Sequence, residues 1–160
     1  MSLDATVYCD CYERGKVRTP PPQPEFVFVE ESGGLTLDCD QPNVDQDAFN
    51  NWRATACEHG SWGELVSYRL GNITLIGFLR SLLAVEPGRF PILLAKVLYN
   101  GVHSGDFLSS ADVDLVSIEI DRLKEVHAVQ DSDEPFIRNF ERQMRELIQA
   151  AQRVGKPIAF

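Results

Sequence analysis

The hydrophobic period of this chain changes once, at Pro42, and that switch constrains the fold more than any motif does. Before it, apolar residues alternate or cluster in short β-rich runs; after it, they recur at three- and four-residue steps. Read this way, the 160 residues form one α+β domain over 1–160, with a β-rich front part (1–41) and a helical part (42–160). The expected architecture is a small N-terminal antiparallel sheet of about three strands, packed against about five or six helices.

Thr6 to Tyr12 alternates, with Val7, Cys9 and Cys11 on one face and Tyr8, Asp10 and Tyr12 on the other, which predicts a strand. A proline cluster follows (Pro20, Pro21, Pro22, Pro24) and reads as a stiff extended spacer. Phe26-Val27-Phe28-Val29 and Leu35-Thr36-Leu37 flank Gly33-Gly34 and predict a hairpin. Beyond Pro42, Asp45 is positioned to cap a helix carrying Phe49, Trp52 and Ala56, and that phase puts Trp52 in the core. Ser61-Trp62-Gly63-Glu64 has capping-box spacing and predicts a short helix through Leu70. Asn72 caps Ile73 to Ala84, apolar nearly all round and so expected to be a buried central helix. Further helices are expected from Phe90-Pro91 to Tyr99, from Ala111 to Val126, and from Pro135 to Val154, stopping at Gly155. Glu119, Asp121 and Glu125 read as the solvated face of the second of these, and Pro157 to Phe160 as an edge strand or an apolar docking tail.

The formal charge is −9, and it is unevenly spread. Residues 1–60 carry 11 acidic and 4 basic side chains, and residues 106–134 carry 9 and 2, so each block is −7. Such a surface repels nucleic-acid phosphates and anionic membranes, which excludes both as expected partners. It suits a basic protein partner, with Asp38, Asp40, Asp45 and Asp47 as the expected contacts. In size, acidity and α+β make-up the chain is similar to small bacterial immunity proteins, which neutralise a toxin by occupying its surface; no shared motif carries that similarity. The resemblance implies a non-enzymatic protein-binding module. The N-terminal residues lack the basic and apolar regions of a secretory signal, so a cytoplasmic location with reduced thiols is expected. Self-association would use the hairpin edge or the apolar C-terminal tail.

One set of side chains points to different chemistry. Cys9-Asp10-Cys11 and Cys57-Glu58-His59 each offer two soft donors, with Cys39 and His103 elsewhere. Zinc takes four tetrahedral sulfur or nitrogen ligands, so Cys9, Cys11, Cys57 and His59 would make a complete set if the two segments met. Such a set is either a structural zinc site or, with one position left to water, the centre of a metal-dependent hydrolase. Other catalytic templates are incomplete. The loop Asn100 to Asp106 has His103, Ser104 and Asp106 but no nucleophile elbow, and the acidic pairs around Asp38 and Asp45 lack the glycine and closing glutamate of a calcium loop.

Overall fold

The computed structural model describes every residue except Met1, Gly60, Asn100, Val102 and Val129, with the side chain of Ser61 also left out. The fold is α+β. Strand β1 (Ser2–Tyr8) pairs antiparallel with β4 (Glu64–Asn72), from Ser2 opposite Asn72 to Tyr8 opposite Glu64. On its other side β1 meets β6 (Ile158–Ala159), which in turn pairs with β5 (Phe107–Leu108), so the sheet runs β4-β1-β6-β5. The C-terminal tail is thus an interior strand of the sheet rather than an edge. The hairpin forms as expected, β2 (Val27–Val29) against β3 (Leu35–Leu37), but as a separate two-stranded sheet.

Strand alternation sets the core. Leu3, Ala5 and Val7 of β1 are buried against helices, while Thr6 faces the other way and its hydroxyl lies 2.9 Å from that of Ser67. Helix α4 (Glu134–Val154) covers the buried face with Ile137, Phe140, Met144, Leu147 and Ala151. Gly155 ends it in the left-handed region, at φ 67°. Helix α3 (Ser110–Arg122) packs beside α4 and is opened by a capping box between Ser109 and Asp112.

Four expectations are corrected. The segment after Ser61 is not a helix: Trp62 and Gly63 take left-handed backbone angles (φ 76° and 72°), which no helix start tolerates, and the β-prone run Leu65 to Leu70 joins β1. Helix α2 (Ile73–Leu83), capped by Asn72, is not buried all round; Ile76, Leu79 and Leu83 face the core while Ile73 is 67% exposed. The stretch after Pro91 widens into a π-helical turn, Leu93–Val97, whose Leu98 N–H donates to the Leu93 carbonyl. Glu119 is buried, because its carboxylate accepts the backbone N–H groups of Ile92 and Leu93 at 2.9 and 2.8 Å and so caps that turn.

Residues 9–63 leave the sheet at the end of β1 and return at the start of β4. They build a second, smaller core in which Val27, Leu37, Phe49, Trp52 and Ala56 are buried, with Tyr12, Val17 and Leu35 packed around them. Helix α1 (Gln46–Arg53) supplies Phe49 and Trp52, as its period predicts. At the neck of this excursion, the Cys9 N–H donates to the Gly63 carbonyl at 2.8 Å. Buried Lys156 also ties the excursion to the main body. It donates to the Gly33 carbonyl at 3.2 Å and pairs with the Glu13 carboxylate.

Candidate metal centre

Both donor pairs sit at that neck. Strand β1 ends at Tyr8, so Cys9 and Cys11 lie not on one strand face but in the turn that follows. There the Arg14 N–H donates to the Asp10 carbonyl and the Lys16 N–H to the Cys11 carbonyl, at 3.0 and 2.7 Å. The curl lets two cysteines one residue apart aim at a common point. From the other side, the chain leaving α1 brings in Cys57 and His59 just before β4.

The four ligand atoms all lie within 4.8 Å of one another. The Cys9 and Cys57 sulfurs are 3.8 Å apart; His59 Nδ1 is 3.3 Å from the Cys11 sulfur and 3.7 Å from that of Cys57. A tetrahedral zinc with Zn–S of about 2.3 Å and Zn–N of about 2.0 Å requires S···S edges of about 3.8 Å and S···N edges of about 3.5 Å. The three distances match or bracket those edges. The sulfurs are far beyond a disulfide bond, and all four cysteines of the chain are free thiols. The cluster could therefore hold a metal ion.

Burial shapes its electrostatics. Cys11 and Cys57 are 6% and 9% exposed, and Cys9 is half-buried. Burial pushes the Cys9 thiol up to about 12, with the neighbouring Cys11 and Cys57 contributing, and burial raises Cys11 as well. Three thiolates cannot gather here without a cation to offset them. The three cysteines also line a cavity of about 20 Å³ together with Tyr8, Arg53 and Trp62, which is room for one small occupant.

Arg53 is the residue that the sequence pattern missed. Its one sequence signal is its place four residues before Cys57. Its guanidinium lies 4.1 Å from the Trp62 ring centre and donates to the Leu35 carbonyl at 2.5 Å. Burial lowers its pKa.

The remaining candidates lie outside the cluster. Cys39 is exposed and its thiol donates to Gln46 Oε1 at 2.9 Å. His103 packs 4.2 Å from the Tyr99 ring, with Nδ1 3.9 Å from the Asp106 carboxylate. The four aspartates follow one another along the connection from β3 into α1. Asp45 caps α1, accepting from the Ala48 N–H at 2.8 Å, and Asp38 accepts from the Asp40 N–H and the Gln41 side chain. Asp40 and Asp47 are exposed. Among the described residues no helix is long and apolar enough to cross a membrane. No family profile, characterised protein or solved structure matches the chain.

Proposed function

We propose that the chain is a zinc protein in which Cys9, Cys11, Cys57 and His59 hold one structural Zn²⁺ at the neck of the 9–63 excursion. The observation that carries this reading is the meeting of two donor pairs, 48 residues apart in sequence, with three of the six donor–donor distances near tetrahedral edge lengths and all within 4.8 Å. Four protein donors fill the ion's coordination, so it supplies folding energy and not a site for substrate or activated water. The small second core supports the same role, since so few buried side chains need a cross-link to hold a long excursion in place. Elemental analysis of protein purified without chelator or added metal, with thiols counted in parallel, tests it. Near-stoichiometric zinc that disappears in Cys9→Ser is the expected result; no metal together with four reactive thiols overturns the reading.

Recognition of a basic protein partner is a second reading. It is supported by Asp38, Asp40, Asp45 and Asp47, none of which enters an ion pair among the described residues. Association with a captured partner should then slow when these positions are reversed in charge, and slow less in high salt. Salt-independent binding would rule it out.

A further inference from the structure

Three of the four donors at the neck are thiols, and they are not equally placed. Cys11 and Cys57 are buried, whereas Cys9 is half-buried and is the most open of the three to a small solute. The Cys9 and Cys57 sulfurs are 3.8 Å apart, about 1.8 Å more than a disulfide bond, a gap that rotation of the two side chains about χ1 can cover. Cys11 is the poorer partner for Cys9. Its sulfur sits 3.3 Å from His59 Nδ1. A Cys9–Cys11 bridge would also close a ring around Asp10 alone, in a turn already fixed by the Arg14 and Lys16 N–H groups. A Cys9–Cys57 bridge instead joins the same two segments that the ion would join, 48 residues apart.

We infer that the centre is redox-responsive: hydrogen peroxide converts Cys9 and Cys57 to a disulfide, the ion leaves, and the bridge keeps the neck closed. The inference rests on the zinc reading above and adds a reaction of its ligands. The Cys9 thiolate attacks one peroxide oxygen and breaks the O–O bond, giving a sulfenic acid and hydroxide. The Cys57 thiolate then attacks the Cys9 sulfur and displaces a second hydroxide. Two electrons pass from the sulfurs to peroxide, and the two hydroxides take protons from solvent. Cys11 and His59 remain, too few donors for a closed tetrahedral site, so zinc is released. The excursion thereby exchanges a metal cross-link for a covalent one between the same segments, and a dithiol reverses the exchange.

The test treats the zinc-loaded full chain with hydrogen peroxide, in the wild type and in Cys39→Ser, which removes the exposed thiol outside the cluster. Zinc release is followed with a chromophoric indicator, remaining thiols are counted, and cross-linked peptides are mapped without reduction. In Cys39→Ser, one zinc should leave for each pair of thiols lost, and the cross-linked peptides should be those of Cys9 and Cys57. A dithiol with added zinc should restore the loaded protein. The melting temperature of the oxidised, zinc-free chain should stay close to the zinc-loaded value, while the reduced, chelated chain melts lower. A Cys9–Cys11 bridge, thiols lost to sulfinic acid with no bridge, or zinc retained after the thiols are consumed would overturn the inference and leave the zinc reading standing. So would an oxidised chain that melts as low as the reduced, chelated one. A wild type that binds no zinc fails the parent reading instead, and the peptide map of that zinc-free chain still decides whether Cys9 and Cys57 pair.

Discussion

Removing the metal should release one part of the molecule and spare the other. The ion joins positions 48 residues apart, and closing a loop of that length in the unfolded chain is worth about 4 kcal/mol on chain-entropy grounds. For a chain of this size each kcal/mol moves the melting temperature by about 2–4 °C, so chelation should lower it by about 8–16 °C. The loss should also be local. The excursion has its own small core, around Phe49 and Trp52, whereas the main core of β1, α2, α3 and α4 includes no metal ligand. Hydrogen exchange before and after chelation should therefore show protection falling across α1 and the β2–β3 hairpin and persisting in α4 and α2. Limited proteolysis should cut within residues 9–63 first. Zinc-loaded and fully chelated protein with the same melting temperature and the same protection pattern would refute the idea that the ion holds the neck closed. A uniform loss over both cores would refute the local version and make the ion a brace for the whole chain.

Two further outcomes are expected. Because the Cys9 thiol in the metal-free protein is pushed up to about 12, the folded state holds that proton more tightly than the unfolded chain, whose thiol titrates near its ordinary value. The resulting stability is present below about pH 9 and is lost as pH rises towards 12, so the urea midpoint of chelated protein should fall over that window more steeply in the wild type than in Cys9→Ala. Parallel curves would remove burial as the cause. Separately, Glu119→Ala leaves two backbone donors at the π-helical turn without an acceptor, at a cost of about 3 kcal/mol and a melting temperature lower by about 6–12 °C, with Glu119→Gln less affected. A Glu119→Ala melt that matches the wild type would show that water takes over the cap.

Local signals were legible wherever a segment's own chemistry decided its structure. Asp45 and Asn72 cap the helices that follow them, and Gly33 and Gly34 turn the hairpin. Legibility failed where a distant partner overrode local preference. Ser61-Trp62-Gly63-Glu64 has the spacing of a helix cap, yet β1 offers Leu65 to Leu70 a ladder of backbone hydrogen bonds, and pairing wins. Glu119 reads as a solvated acid among charged neighbours, but the unsatisfied N–H groups at Ile92 and Leu93, distant in sequence, draw it into the interior.

The metal centre divides along the same line. Its four donors could be picked out by residue type, since cysteine and histidine are scarce here and occur in two close pairs. Their convergence could not, because it depends on β1 and β4 being neighbours, and the local sequence of β4 favours a helix. Once β1 and β4 pair, with Tyr8 opposite Glu64, the residue after one strand and those before the other must lie side by side. That sets Cys9 against Gly63, a few residues after Cys57 and His59 in the sequence. Trp62, just before β4, packs against the half-buried Arg53, and both line one cavity with Cys9, Cys11 and Cys57, a place that neither residue's local sequence announces.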